Sequence, residues 1–174
     1  PNLFLIYESG TVNTNPRKLP LSIGDGELAN HALTVVGMPE IFNYWLQSGR
    51  IDIGFLGAAQ IDRFANINTT FIGQSYDSPK VRLPGAGGAT EIAASCKEVA
   101  IIIRQTTRTF VEHVDFITSM GFGTGPGSRA TNRLRGGGPS RVITDLGILE
   151  PDPETLELTM TQLHPGVDIS QAIE

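Results

Sequence analysis

The sequence has few cysteines and no long hydrophobic run. Cys96 is the only cysteine among 174 residues, which excludes an internal disulfide and a zinc site built from several cysteines. No apolar stretch reaches the ~18 residues needed to span a bilayer, and no signal-peptide pattern opens the chain. These absences predict a soluble protein that is not a membrane protein, and they fit a reducing cytoplasm.

Positive charge is also scarce. The chain carries 13 Lys and Arg against 18 Asp and Glu, a net charge of −5, which argues against a nucleic-acid partner because phosphate backbones attract basic proteins. A local basic patch remains, since the glycine-rich stretch 121–141 contains no acidic residue. Its arginines are Arg129, Arg133, Arg135 and Arg141. They could meet phosphate groups or a partner subunit, or belong to a solvated loop.

Hydrophobic residues make up 40% of the chain and predict one globular domain over 1–174. Short apolar runs, some of them bounded by glycine, lie at 3–7, 51–56, 69–72, 99–103, 114–117 and 142–149. Several are continuous rather than alternating, which is typical of strands covered on both faces. We therefore predict an α/β fold with a largely parallel open sheet and helices on both faces.

Helices are predicted between these strands, whereas the C-terminal part of the sequence predicts an antiparallel hairpin. Pro39 to Ser48 suits a helix with an apolar face, and Gly26 to Leu33 suits another with Asp25 as its N-cap. Asp25 and Glu27 could also form an acid/base pair, but a helix start explains both. The segments 141–150 and 156–163 predict an antiparallel hairpin, because apolar and polar residues alternate in the second.

Two stretches are suited to acyl chemistry. Glu8 ends the first apolar run, and an ionised carboxylate needs no general base to act as a nucleophile. The glycine-rich stretch 85–89 brings backbone N–H groups within reach of a developing negative charge. The alternatives are a glutamate that caps a helix or faces solvent, and an ordinary turn before a helix near Thr90.

Other polar residues have weaker signals. Gln60 and Asp62 follow the strand 51–56 and could border a substrate channel or stabilise a loop. Asn66 and Asn68 are predicted to fix turns. The histidines, His31, His113 and His164, have no metal-ligand spacing, so no metal site is predicted.

Several motifs together carry a resemblance to a known family. They are Glu8-Ser9-Gly10, Ser22-Ile23-Gly24-Asp25, Gly57-Ala58-Ala59-Gln60-Ile61-Asp62, Asn66-Ile67-Asn68-Thr69-Thr70, Gly85-Ala86-Gly87-Gly88-Ala89 and Val142-Ile143-Thr144-Asp145. In this order they resemble the β subunit of class I CoA-transferases, the glutaconate CoA-transferase type above all. Family β subunits usually have an additional N-terminal segment and a longer C-terminal tail, and we expect this chain to lack both.

The resemblance implies a function and a site. Glu8 would attack an acyl-CoA thioester and then carry CoA as a glutamyl-CoA thioester. Gly87, Gly88 and Ala89, with Gly85, would stabilise the oxyanion and bind CoA. Gln60 and Ser9 would border the substrate channel.

The same resemblance implies the partners. Coenzyme A and its acyl esters would be substrates, with no tightly bound cofactor. A related α subunit would complete a heteromer and supply much of the pocket for the acid, expected to be a glutaconate-like dicarboxylate. The alternatives are an acyl-CoA hydrolase or decarboxylase of the same fold, or a non-catalytic subunit.

Overall fold

A computed structural model describes residues 3–173 of the chain. These residues form short strands and helices connected by many turns. The strands are β1 (Thr11–Val12), β2 (Thr34–Val35), β3 (Ile53–Leu56), β4 (Gln60–Ile61), β5 (Ile67–Asn68), β6 (Phe71–Ile72), β7 (Val81–Arg82), β8 (Glu98–Ile102), β9 (Pro139–Ile143), β10 (Gly147–Pro151) and β11 (Leu158–Leu163). The α-helices are α1 (Gly26–Asn30), α2 (Met38–Glu40), α3 (Ala89–Ser95), α4 (Ser128–Thr131) and α5 (Ile169–Ile173), and a π-helical segment, Ile41–Leu46, continues α2.

The largest sheet has five strands in the order β11-β10-β9-β8-β3. Strands β3, β8 and β9 are parallel, with Ile53 opposite Glu98 and Val99 opposite Pro139. Strands β9, β10 and β11 follow one another as antiparallel neighbours. The prediction of an α/β fold with a parallel sheet core and a C-terminal antiparallel hairpin is therefore confirmed.

Helix α3 packs against β3 at a glycine. A Cβ atom on Gly54 would lie 2.5 Å from Ile92 Cγ2 and 2.8 Å from Cys96 Sγ, so only glycine allows this close approach. The largest fully buried aliphatic side chains among the described residues from Gly49 onward are Ile61, Ile67, Val99, Ile101 and Val142. They form the core on which the loops described below depend.

The chain divides into two compact units, one ending at Ser48 and one beginning at Gly49. In the first unit β1 and β2 pair antiparallel, and α1 begins at the N-cap Asp25, whose side chain accepts a hydrogen bond from the Glu27 N–H at 2.9 Å. This confirms the cap interpretation of Asp25. The single domain over 1–174 stays a prediction.

The apolar run 3–7 is not the strand that the sequence predicts. Ile6 forms only an isolated bridge with Val12, because the chain turns back directly after Tyr7. The run therefore lies beside the next residues of its own unit, and no strand begins before Thr11 in the described residues.

Two further apolar runs differ from the prediction. Residues 114–117 form no strand, because Phe116 packs on Phe71 with ring centroids 5.4 Å apart and Asp115 donates its N–H to the Gln60 side chain at 3.0 Å. The run 142–149 is not continuous either. It is broken by a turn at Thr144, whose Oγ1 accepts from the N–H of Gly147 at 3.0 Å, so β9 and β10 form a hairpin of their own.

Candidate functional site

Glu8 lies in a tight turn of the first unit. The Gly10 N–H donates to the Tyr7 carbonyl and the Tyr7 N–H to the Thr11 carbonyl, each at 3.0 Å. Gly10 has φ +112°, and a Cβ atom there would overlap the Val36 carbonyl oxygen at 2.1 Å. The turn thus requires glycine two residues after Glu8. The Glu8 side chain is half-buried and accepts no hydrogen bond from any group among residues 3–173.

Ser9 connects this turn to the approach to α1. Its Oγ donates to the Ile23 carbonyl at 2.5 Å, which uses the hydroxyl proton in a structural bond. Asp25, two residues later, accepts from the N–H groups of Leu21 and Glu27, and these bonds hold the pKa of its carboxyl below the usual range. The ionised Asp25 side chain thus fixes the backbone around Ile23, which the Ser9 hydroxyl connects to the Glu8 turn.

The predicted glycine loop belongs to the second unit and precedes α3. Gly85 is held by Thr69 in both directions, with its N–H donating to the Thr69 carbonyl at 2.8 Å and its carbonyl accepting from Thr69 Oγ1 at 2.8 Å. Among the described residues no carbonyl accepts from the N–H groups of Ala86, Gly87 and Gly88. Three backbone donors are therefore available in one short loop.

Gln60 and Asn68 are buried next to this loop. Gln60 Oε1 accepts from Asn68 Nδ2 at 2.7 Å and from the Asp115 N–H at 3.0 Å, which are the bonds of a loop-stabilising side chain. Asn68 Oδ1 in turn lies 3.4 Å from the hydroxyl of Thr118, whose Oγ1 accepts from the Thr69 N–H at 2.9 Å. The structure thus joins Gln60 to the glycine loop through a hydrogen-bond network.

Asp62 and Asn66 form a second buried pair. Asp62 accepts from the Asn66 N–H and from Asn66 Nδ2, at 3.0 and 2.8 Å. Asn66 Oδ1 accepts from the N–H groups of Gly121 and Gly123, each at 3.0 Å. These bonds attach the β4–β5 turn to the segment that follows Ser119, so Asn66 fixes a turn as the sequence predicts.

Arg129 is enclosed by backbone carbonyls rather than directed to a ligand. Nε and Nη2 donate to Gly136, Nη1 to Met120 and Gly121, and Nη2 also to Ala93, at 2.9 to 3.3 Å. Burial lowers the pKa of this guanidinium, although arginine stays charged. All five guanidinium donors are thus used, and a phosphate-binding role for Arg129 is not supported.

Arg129 also lines a cavity of about 390 Å³ in the second unit. The other lining residues are Phe122, Gly125, Gly127, Ala130, Gly136, Gly137 and Leu156. Apolar surface and glycine backbone dominate the walls, and the single charged group among them is already fully engaged. Arg133 and Arg141 are exposed on the same stretch.

Cys96 is a core residue of the second unit. Its side chain is buried, and burial raises the pKa of the thiol from 9.0 to about 11, which keeps it protonated at neutral pH. Over residues 3–173, no three His, Cys, Asp or Glu side chains are grouped so that they could hold a metal ion. Within the same residues, no helix combines the length and apolarity that crossing a membrane requires.

Thr69 and Thr118 attach the glycine loop, a role that the sequence did not indicate for either, although Thr69 stands in one of the motifs of the resemblance. Both belong to apolar or asparagine-rich stretches that gave no separate signal, and Gly85 lies far from each of them along the chain. Only the fold brings the three together. Glu8 and Ser9 belong to the first unit, and Gln60 and the glycine loop to the second.

Comparison with known proteins identifies the family. The family model described as coenzyme A transferase matches residues 1–174. The chain is 61% identical over 174 residues to the B-type subunit of 3-oxoadipate CoA-transferase from Pseudomonas knackmussii, a match that covers 100% of this chain and 66% of that protein. It is 34% identical over 194 residues to the B-type subunit of glutaconate CoA-transferase from Acidaminococcus fermentans, covering 100% of this chain and 71% of that protein.

A crystal structure agrees with these matches. Glutaconate CoA-transferase from Acidaminococcus fermentans superposes with a TM-score of 0.87 at 33% identity, over 95% of this chain and 65% of that chain. The chain thus spans about two thirds of the length of the relatives it matches. It belongs to the coenzyme A transferase family, and the resemblance found in its motifs is confirmed.

Proposed function

We propose that this chain is the B-type subunit of a CoA-transferase that moves CoA from an acyl-CoA to a free carboxylic acid, with Glu8 as the nucleophile. The observation that carries the proposal is the Glu8 turn. A half-buried carboxylate that accepts no hydrogen bond within residues 3–173 is held at a turn that accepts only glycine at position 10. Such a group keeps its lone pairs for a reacting carbonyl.

The reaction proceeds by two exchanges at Glu8. Its carboxylate attacks the thioester carbonyl, the C–S bond breaks, and a mixed anhydride and the CoA thiolate result. The thiolate attacks the glutamyl carbonyl of the anhydride and releases the donor acid as a carboxylate, which leaves a glutamyl-CoA thioester. The acceptor carboxylate then runs both steps in reverse, and Glu8 returns to its starting form. No proton has to be moved in any of these steps.

The glycine loop supplies the second requirement of this chemistry. Each attack places negative charge on a carbonyl oxygen, and backbone N–H groups that are already oriented stabilise that charge at little reorganisation cost. The N–H groups of Ala86, Gly87 and Gly88 lack an acceptor among the described residues, and no large side chain of the loop covers them. We assign them, with Ala89 and Gly85 as their frame, to oxyanion stabilisation next to CoA.

For the acids, we propose short dicarboxylates. The relative at 61% identity is named for 3-oxoadipate and the relative at 34% for glutaconate, and both compounds are dicarboxylic acids. The higher identity favours 3-oxoadipate over the glutaconate-like acid that the motifs alone suggest. A second carboxylate must be recognised by cationic or N–H donors, and we propose that an α-type partner subunit supplies most of them.

Peptide mass spectrometry tests the nucleophile directly. The complex with its partner subunit is incubated with an acyl-CoA without acceptor and digested, and the Glu8 peptide is weighed. A CoA thioester on that peptide is expected for the unaltered chain. Glu8→Gln should abolish it and lower transfer by roughly a thousandfold or more, because the amide cannot replace the carboxylate nucleophile.

The matched control is Glu154→Gln, which makes the same change in the exposed turn between β10 and β11 and should leave transfer unchanged. Transfer that survives in Glu8→Gln would remove Glu8 from the mechanism and favour a non-catalytic role for this chain. Release of free acid without any acceptor and without an adduct would favour hydrolysis.

A further inference from the structure

We propose that Thr69 is a positioning residue that holds the glycine loop, residues 85–88, in the shape that binds the oxyanion. The proposal rests on the function proposed above. Thr69 lies between β5 and β6 and bonds to the loop at Gly85 through its backbone and its side chain, and it accepts no hydrogen bond from the three available N–H groups of the loop. It therefore acts through Gly85.

The first step of the argument is the reciprocal pair between Thr69 and Gly85. The carbonyl of Thr69 accepts from the Gly85 N–H, and its hydroxyl donates to the Gly85 carbonyl, both at 2.8 Å. Two bonds to one residue fix the orientation of both peptide planes that flank Gly85. This matters because Gly85 has φ +105°, a conformation from which glycine leaves easily when nothing holds it.

Thr118 supports both ends of the loop. Its Oγ1 accepts from the Thr69 N–H at 2.9 Å, and its carbonyl accepts from Thr90 Oγ1 at 2.9 Å at the start of α3. The side chain is 7% exposed and bonds also to the Thr70 hydroxyl at 2.7 Å. One buried residue thus anchors the loop before Gly85 through Thr69 and after Gly88 through Thr90. We call Thr69, Thr90 and Thr118 the threonine clamp.

The residues between the two anchors explain why a clamp is needed. Ala86, Gly87 and Gly88 have almost no side chain with which to pack, and Gly87 has φ +50°. Such a segment has many accessible conformations, and catalytic donors work well only when they are already oriented. At the end of the loop next to α3, the Ala89 N–H donates to the Ala86 carbonyl at 2.9 Å. At the other end, the Thr69 hydroxyl supplies the side-chain bond to Gly85.

The test compares Thr69→Val, which keeps the branched shape but removes the hydroxyl, with Thr69→Ser, which keeps the hydroxyl. Thr159→Val makes the first change on the exposed face of β11 and serves as the control. In the complex with the partner subunit, we expect kcat of Thr69→Val to fall about tenfold with KM changed less than about twofold, since a displaced donor affects the transition state more than ground-state binding. Thr69→Ser and Thr159→Val should stay within about twofold of the unaltered chain.

Hydrogen exchange of the same variants measures directly whether the glycine loop keeps its conformation. The amides of Gly85 and Ala89 should exchange faster in Thr69→Val alone, while urea unfolding shows that the variant remains folded. Equal kcat in Thr69→Val and the unaltered chain, or equal losses in the Val and Ser variants, would overturn the proposal.

The two proposals can fail separately. If the unaltered chain forms no Glu8 adduct, the proposed function is wrong. The exchange rates of Gly85 and Ala89 then still decide whether Thr69 fixes the loop, and unchanged rates in Thr69→Val would overturn the clamp.

Discussion

At the scale of single residues, Arg129 shows how position changes the role of a charge. Its guanidinium donates to the carbonyls of Ala93, Met120, Gly121 and Gly136, and so connects the end of α3 with two glycine-rich segments. Carbonyl oxygens at these places have no strand neighbour to satisfy them. The arginine therefore supplies side-chain donors to four backbone acceptors, one of them in helix α3, that no backbone N–H satisfies among the described residues.

Arg129→Lys should destabilise the protein although the charge is kept. Lysine has a single nitrogen and cannot reach four carbonyls that surround a planar fork, so several buried acceptors lose their donor. We expect the free energy of unfolding to fall by about 2 to 4 kcal/mol. Urea denaturation measures it, with Arg133→Lys on the same segment, where the side chain is exposed, as the control. A loss no larger than that of the control would contradict this role.

The same residue marks a limit of prediction from sequence. An arginine among glycines in an acidic chain indicates anion binding equally well, because composition does not show where backbone carbonyls converge. Asp25 was predictable for the opposite reason, since an N-cap bond is formed with residues only two positions away. Glu8 and the glycine loop could be selected by their chemistry, but Thr69 could not, because its partner Gly85 is distant in sequence.

At the scale of elements, the contact of β3 with α3 depends on Gly54. Gly54→Ala places a methyl group where Ile92 and Cys96 already lie, and the helix must move away from the sheet. Overpacking of this kind costs about 1 to 3 kcal/mol. Thermal unfolding checks it. Gly57→Ala is the matched control because its added carbon would have an ordinary contact, 3.7 Å from the Ile102 carbonyl oxygen. Equal stability of the two variants would show that α3 adjusts freely.

Continuous apolar runs predicted the parallel strands β3 and β8 well and the other elements poorly. The runs 51–56 and 99–103 correspond to β3 and β8, which pair within one large sheet. The run 114–117 is equally apolar, but its aromatic ring packs on Phe71 and its backbone bonds to a side chain. A run of apolar residues indicates that a segment is buried, but it does not show whether a neighbouring strand is present to pair with it. The helix predicted over 39–48 is present, yet its π-helical part, Ile41–Leu46, has no signal in the residue pattern.

At the scale of the whole molecule, the two compact units differ in how their strands are supported. Up to Ser48 the strands are two-residue pairs, whereas the segment from Gly49 onward contains a five-stranded sheet and most of the buried apolar residues. Small hairpins are marginally stable, so the first unit should open locally more often. Hydrogen exchange of the intact chain should therefore show lower protection for peptides before Ser48 than for β8 and β9. Equal protection in both units would contradict this prediction.

The parallel pairing of β3 with β8 has a consequence during synthesis. Ile53 leaves the ribosome roughly 45 positions before its neighbour Glu98, which at about 5 to 20 residues per second means a delay of roughly 2 to 9 s. During this time the edge of β3 that later pairs with β8 has no partner strand, and the side chains of Ile53 and Phe55 stay exposed even after the pairing. The nascent chain is then open to aggregation, and chaperones should matter most in this interval. The C-terminal hairpins pair neighbouring segments and involve no such waiting time.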